Sequence, residues 1–232
     1  MKIIVSGDTH GNIDYHKLTN SSIMSQFGTL PDIVIVAGDF GVPWSNNNTD
    51  KQDEYLARGY SEKPYKILVI PGNHENYDRI EKMPITSIYG AKANQFTENI
   101  FFIQKNEVVT INKSTFFCFG GAMSSDKMYR IPKISWWSQE DASYGDWINF
   151  LEKFKNIQSV DYVITHTCPE PWMKELEFTH HINDKCPTRE ILTSIEEKLA
   201  YRKWFFGHFH QDKIINNGKA QCLYETLIQI EV

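Results

Sequence analysis

Short apolar runs alternate with amphipathic stretches along this chain, and the alternation predicts strands and helices taking turns in an α/β fold. Ile3-Ile4-Val5, Ile33-Val34-Ile35-Val36, Ile67-Leu68-Val69-Ile70, Tyr162-Val163-Ile164 and Trp204-Phe205-Phe206 read as buried strands. Ile13, Leu18, Ile23, Met24 and Phe27 fall near helical spacing and predict a helix over about 13–27; Asp50 to Tyr60 predicts a second. The middle differs. Ile100-Phe101-Phe102-Ile103, Val108-Val109-Thr110-Ile111 and Thr115-Phe116-Phe117-Cys118-Phe119 are joined by polar turns at Asn106-Glu107 and Asn112-Lys113-Ser114, so an antiparallel meander is expected. A loop with Gly120-Gly121, Pro132 and Trp136-Trp137 leads to a helix at about 139–157. A long loop over 167–187 precedes a helix from Pro187-Thr188 to about 199. The end, through Lys213-Ile214-Ile215, Ala220-Gln221-Cys222 and Leu227-Ile228-Gln229-Ile230, reads as meander again, with Asn217-Gly218 as a hairpin turn. No linker, repeat or low-complexity segment interrupts this pattern. The expectation is one domain over residues 1–232, with a parallel half and a more antiparallel half.

The residues just after each buried run are more telling than the runs themselves. Asp8-Thr9-His10, Gly38-Asp39, Gly72-Asn73-His74-Glu75, Thr165-His166 and Gly207-His208-Phe209-His210 stand at the C-terminal ends of these strands, where an open α/β sheet builds a site. Five of the chain's eight histidines lie in these blocks, a clustering that chance does not supply. The residue types are those of a dinuclear hydrolytic centre, which needs hard oxygen and imidazole ligands and one group shared by metals about 3.5–4 Å apart. Alternate residues at a strand end face the same way, so Asp8 and His10 can hold one metal, and His208 and His210 repeat that spacing. Asp39, with two carboxylate oxygens, is the natural bridge; Asn73 offers a neutral amide oxygen and His166 another imidazole. Two divalent ions bring four positive charges, and Asp8, Asp39 and a bridging hydroxide return three. The remaining positive charge favours a phosphate anion and lowers the pKa of the bridging water. His74, beside rather than on the metals, can protonate a leaving oxygen or stabilise the charged transition state.

The ordered set D-x-H, G-D, G-N-H-E, H and G-H-x-H resembles the calcineurin-like metallophosphoesterases over essentially the whole chain. The resemblance implies a four-layer αββα sandwich of two mixed sheets. It implies one metal on Asp8, His10, Asp39 and His210, the other on Asp39, Asn73, His166 and His208, with His74 and Asp39 in catalysis. Manganese is the first candidate metal, with iron, zinc, nickel and cobalt as others. Within the superfamily, Asp8-Thr9-His10-Gly11-Asn12 is similar to the opening of protein phosphatases and dinucleoside polyphosphate hydrolases. Those protein phosphatases continue the second block as G-D-x-V-D-R-G, whereas this chain has Gly38-Asp39-Phe40-Gly41-Val42-Pro43-Trp44. The aspartate that would orient the histidine and the arginine that would grip phosphate are replaced by Val42 and Pro43, so a protein Ser/Thr phosphatase is disfavoured and the partner of His74 must come from elsewhere.

Composition narrows the picture. With 24 basic and 29 acidic residues the formal charge is −5, and no Lys/Arg run appears. Both count against a polymeric nucleic-acid or membrane-surface binder. Cys118, Cys168, Cys186 and Cys222 form no CxxC pair and read as reduced, buried thiols. The first strand begins at Lys2 and no apolar stretch approaches the roughly 20 residues of a membrane span, so no signal peptide, no membrane partner and a cytoplasmic location are expected. His16 reads as a surface residue, Arg58 and Arg79 as solvated helix positions, and His180-His181 as loop residues with a minor claim to substrate contact. Asn12 either contacts phosphate or turns the chain after Gly11. Arg130 is the best candidate for a planar phosphate fork, and Trp136-Trp137 either plug the core or wall a substrate pocket. The leading reading is hydrolysis of a small, nucleotide-like phosphoester by a metal-bridging hydroxide; monoester, diester and pyrophosphate all remain open, and the arginine and aromatic residues of the 120–137 loop tilt the reading to a phosphodiester. The alternatives are a non-catalytic metal-binding scaffold of the same fold, and a nuclease.

Overall fold

The computed structural model describes residues 1–177 and 185–232, and in it the apolar runs become strands buried on both faces. In β1 (Lys2–Ser6), Ile3 and Val5 enter one core cluster and Ile4 another; β2 (Ile33–Val36) and β3 (Lys66–Val69) divide in the same way. A strand covered on both sides needs no polar face, which is why each reads as an unbroken apolar run.

The three strands pair in parallel and are continued by β6 (Ile100–Ile103) and then, antiparallel, by β5 (Ala91–Gln95) and β4 (Ile85–Ile88). A second sheet holds β7 (Glu107–Ile111), β8 (Ser114–Phe119), β9 (Tyr162–Thr165), β10 (Lys203–Phe206), β11 (Lys213–Ile215) and β12 (Ala220–Cys222), in the order β11-β12-β10-β9-β8-β7. The last strand, β13 (Ile228–Glu231), returns to the first sheet antiparallel to β1 and completes its seven strands. Ile3, Ile35, Phe101, Phe116, Ile164 and Phe205 share one core, so the sheets face each other. The outer face of the first sheet is covered by α1 (Asn20–Phe27) and α2 (Lys51–Ser61) through Ile23, Leu56 and Tyr60. The outer face of the second is covered by α4 (Tyr144–Phe154) and α5 (Pro187–Lys198) through Phe150, Ile191, Leu192 and Ile195. The layers are therefore helices, sheet, sheet, helices. A short α3 (Tyr77–Ile80) comes after the third motif.

The sequence reading is corrected in several places. The expected central meander does not form: β6 belongs to the first sheet, and the chain crosses at 104–106 so that only β7 and β8 make a hairpin. The closing meander likewise splits, with β11–β12 in one sheet and β13 in the other. Both sheets have a parallel centre and antiparallel edges, so parallel and antiparallel strands are not two halves of the chain. The edge hairpin β4–β5 has no apolar run and was not expected; it turns through Tyr89 and Gly90, both at positive φ. The helix expected over about 13–27 is a 3-10 turn at Tyr15–Leu18 followed by α1, because Thr19 is extended and its side chain accepts from the Ser22 N–H at 3.2 Å, the N-cap of a new helix. The helix expected from about 139 begins at Tyr144. Ser143 and Asp146 form its capping box, while Glu140 turns inward and is buried.

Candidate metal centre

The five motif loops leave the C-terminal ends of β1, β2 and β3 in one sheet and β9 and β10 in the other, and meet along the edge where the sheets face each other. Cross-sheet hydrogen bonds fix the meeting. His166 Nδ1 donates to the Ala37 carbonyl at 2.9 Å, and the His208 N–H donates to Asp8 Oδ1 at 2.9 Å. Glycine lets the backbones come so close: a Cβ on Gly72 would overlap the Asp39 carboxylate, and one on Gly207 would overlap that of Asp8.

The side chains gather in two groups. Asp8, His10 and His210 bring ligand atoms within 4.8 Å of one another, as do Asp39, His166 and His208. Asp39 also reaches the first group. Its Oδ1 lies 3.2 Å from His166 Nε2, and its Oδ2 lies 3.5 Å from His10 Nε2. Asn73 joins the second group, with Oδ1 3.0 Å from His166 Nε2. Asp8 Oδ2 is buried and accepts no hydrogen bond, although His210 Nε2 stands 3.1 Å and His10 Nε2 3.8 Å away. Atoms so close yet not aligned for a hydrogen bond are aimed at a common point, which is how ligands surround a cation. The donor set is hard oxygen and imidazole nitrogen, so these residues fit divalent ions.

The electrostatics fit as well. Burial alone would lower the pKa of His10 and His166, but the carboxylates of Asp39 and Asp8 outweigh it, with Asp14 helping at His10; His10 rises to about 9 and His166 to about 10. Burial would raise Asp39, yet His166 and His10 hold it well below the usual carboxylate range. His208, beside His166, is pushed the other way, well below the usual imidazole range, by burial first. Backbone strain marks the same place: His10, Asp39, His208 and His210 have φ between 44° and 70°. Such conformations cost a residue with a Cβ roughly 1–3 kcal/mol each and persist only where the surroundings impose them. Here the N–H groups of Thr9 and His10 both donate to the Asp39 carbonyl, at 3.0 and 2.8 Å.

Several supporting residues escaped the sequence reading. Asp14 Oδ2 accepts from His10 Nδ1 at 3.1 Å and leaves Nε2 for the centre. The i,i+4 spacing of these two residues was its only signal. Tyr224 stacks on His210 with centroids 4.7 Å apart, and Lys17 lies over the tyrosine ring. Glu75, fully buried, accepts from the N–H groups of Gly41 and Gly72 and so ties two motif loops together; burial pushes its pKa up to about 7. Ser124 Oγ accepts from Asn73 Nδ2 at 3.1 Å, and Glu140 Oε1 accepts from the Ser124 N–H at 3.2 Å. Ser124→Ala is expected to free the Asn73 amide and weaken metal binding at its group about 10–100-fold, the usual effect of losing a partner of a ligand. Manganese titration checks it; an unchanged affinity would reduce Ser124 to packing.

His74 Nε2 is 4.0 Å from Asp39 Oδ2, and the His74 N–H donates to Asp39 Oδ1 at 2.8 Å. Trp44 stacks on its ring. Its side-chain partner is Arg130, whose Nη2 donates to Nε2 at 2.9 Å. Arg130 is itself held by Asp126 at 2.6 Å and by the Ser135 and Asn73 carbonyls. Arg79 is not a solvated helix position as expected: it pairs with buried Asp53 and donates to the Ser45 carbonyl at 2.7 Å, bracing the loop before α2. Trp137 is buried against Trp44, with Trp136 only partly covered. His16 is exposed beside Glu225, Asn12 is exposed and accepts from Gln52 Nε2 at 3.1 Å, and all four cysteines are buried and free. His180 and His181 lie outside the described residues.

The sequence profile described as calcineurin-like phosphoesterase matches residues 1–212. No curated protein matches the chain in sequence. Among solved structures, a Staphylococcus aureus protein described as a 5′-nucleotidase, in complex with α-ketoglutarate, is similar with a TM-score of 0.53 at 13% identity, over 98% of this chain and 50% of that one. The present chain thus spans about half the length of that protein and shares its fold. The phosphopantetheinyl hydrolase of Mycobacterium tuberculosis gives a TM-score of 0.46 at 11% identity, over 96% of this chain and 89% of its own.

Proposed function

We propose that this chain, which belongs to the calcineurin-like phosphoesterase family and is a metal-dependent phosphoester hydrolase, cleaves a small nucleotide-like phosphoester at a centre of two divalent ions. The observation that carries this reading is the Asp39 carboxylate, whose two oxygens lie 3.5 Å from His10 and 3.2 Å from His166, one in each ligand group. We assign one ion to Asp8, His10, Asp39 and His210, and the other to Asp39, Asn73, His166 and His208. Manganese is our first choice. When bound, the ions supply a nucleophile by acidifying a shared water and neutralise the phosphoryl oxygens.

The rest falls to the chain's own side chains. An arginine only donates, so the Arg130 bond to His74 Nε2 leaves the histidine proton on Nδ1. A phosphate oxygen entering between them can accept from Arg130, freeing Nε2 to take up a proton from solvent and pass it to the leaving oxygen. Asn12, at the rim, is a further candidate contact. Among the described residues no Lys or Arg lines the cavity beside the centre. That absence and the net charge of −5 disfavour polymeric nucleic acid. No helix among the described residues is long and apolar enough to cross a membrane. The proposal includes a cytoplasmic setting and a single functional domain over 1–232.

The test is hydrolysis of p-nitrophenyl phosphate, bis-p-nitrophenyl phosphate, cyclic nucleotides and dinucleoside polyphosphates, before chelation, after it, and after manganese is restored. Turnover of at least one ester, lost with the metal and regained with two equivalents per chain, is expected. Full activity in the chelated protein, or none on any ester with any of the candidate metals, would overturn the reading.

A further inference from the structure

Beside His10 and His74 opens a cavity of about 780 Å³, within the range that small organic ligands fill. Its chemistry is uneven. Asn12, Asn46, Asn47 and Gln52 offer neutral amide donors and acceptors. Ile13 and Ile134, on separate loops, line it while 71% and 57% exposed, so apolar surface stands at its mouth. Trp44 lines the inner end, fixed between His74 and Trp137.

The charged groups of this lining, apart from the two histidines, are Asp50 and Asp53. Asp53 is satisfied by Arg79 and by the N–H groups of Trp44 and Ser45, at 3.1 Å each. Asp50 uses Oδ1 to cap α2. No Lys or Arg among the described residues lines the space. Arg130 stands at the His74 end, where the reacting phosphate belongs, and Arg79 braces the loop from behind. The lining thus joins His10 and His74 of the candidate centre to neutral amides and the Asp50 carboxylate. Surface isoleucines beside a row of amides suit a group that is part apolar and part hydrogen-bonding, and a second anion there would meet the Asp50 carboxylate.

We propose that this cavity is the subsite for the organic half of the substrate, that it takes an uncharged hydrogen-bonding group of the nucleoside class joined to a single phosphate, and that it rejects compounds placing a second phosphate there. The inference rests on the phosphoesterase reading and names the substrate class of that same site.

The test is competition at fixed free manganese against whichever of p-nitrophenyl phosphate and bis-p-nitrophenyl phosphate the enzyme hydrolyses. Inorganic phosphate, adenosine 5′-monophosphate and pyrophosphate serve as competitors. The nucleotide is expected to compete at least about tenfold better than phosphate, and pyrophosphate no better than phosphate. Gln52→Lys, a change at an exposed position of the first turn of α2, places a cation in the space. It should improve pyrophosphate relative to the nucleotide by about tenfold or more. If an aryl ester is turned over but the nucleotide gains nothing over phosphate, or Gln52→Lys leaves the ratio unmoved, the subsite assignment is wrong while the phosphoesterase reading stands. If neither aryl ester is turned over, the competition is run against whichever other ester of the panel above is hydrolysed, and hydrolysis of none of that panel with any candidate metal sinks both readings.

Discussion

Asp39→Asn is expected to empty both metal groups at concentrations that saturate the native protein. The reason lies in its position. One oxygen faces His166 and the other faces His10, at 3.2 and 3.5 Å, and the carboxylate is buried. The amide keeps the shape but loses the charge and one of the two acceptor oxygens. Loss of a mere partner of a ligand typically lowers metal affinity about 10–100-fold; loss of a shared ligand should exceed about 100-fold at each group. Activity should fall with occupancy and recover only in part at high manganese. Elemental analysis under limiting metal gives the check. Two retained ions per chain would remove the bridge assignment and leave the centre to be rebuilt on Asp8 and the histidines.

The contrast with Ser124→Ala is informative. Ser124 accepts a hydrogen bond from the amide nitrogen of Asn73, a proposed ligand of one group, at 3.1 Å, so its loss should reach that group and spare the other. A titration that resolves two binding steps in the native chain should thus show one step weakened in Ser124→Ala and both weakened in Asp39→Asn.

Strands covered on both faces announce themselves, because every residue must be apolar: Ile33-Val34-Ile35-Val36 admits no helical or half-exposed reading. What a run does not contain is its partner. Ile100-Phe101-Phe102-Ile103 and Val108-Val109-Thr110-Ile111 look like neighbours, yet the three residues between β6 and β7 carry the chain from one sheet to the other. Pairing of β13 with β1 closes more than 220 residues of chain, since Lys2 faces Glu231, and no local signal specifies it. The β4–β5 edge was invisible for the opposite reason: Ile85-Thr86-Ser87-Ile88 is half exposed and its turn is Tyr-Gly, outside the familiar hairpin pairs.

The candidate site divides in the same way. The side chains that converge come from strand ends, where spacing and residue type can be read together. Their supports come from other elements: Ser124 and Glu140 from either end of the loop after β8, and Tyr224 from beyond β12. Glu75 stood in the open, one residue after His74, but nothing in G-N-H-E says that its carboxylate reaches across to Gly41. The arginine at 79 sits on a helix and looks solvated in sequence; only the fold shows Asp53 waiting for it.

His74→Ala is expected to keep metal and fold while losing about 10²–10⁴ in turnover, the range of a positioned acid. The ring is partly exposed and its backbone N–H, not its side chain, donates to Asp39, so the alanine variant preserves that bond to the bridging carboxylate. The loss should shrink for esters of acidic phenols, whose leaving oxygens need no proton, and grow for alkyl esters. A loss independent of leaving-group pKa would instead assign the ring to charge stabilisation. Arg130→Ala should behave differently. Its guanidinium contacts His74 at 2.9 Å and is braced by Asp126 at 2.6 Å, so it is poised to hand its hydrogen bonds to an arriving phosphate. KM for a good substrate should rise at least tenfold, by rough analogy with the 1.5–3 kcal/mol of a charge-assisted hydrogen bond, with metal content unchanged. Arg130→Lys should not restore it, because an ammonium lacks the planar fork. The two side chains are in direct contact, so the double variant should lose less than the product of the single losses, a coupling of about 0.5 kcal/mol or more. Strict additivity would mean that the contact seen between guanidinium and imidazole plays no part once substrate is bound, and that Arg130 serves only to hold the loop closed over Asn73.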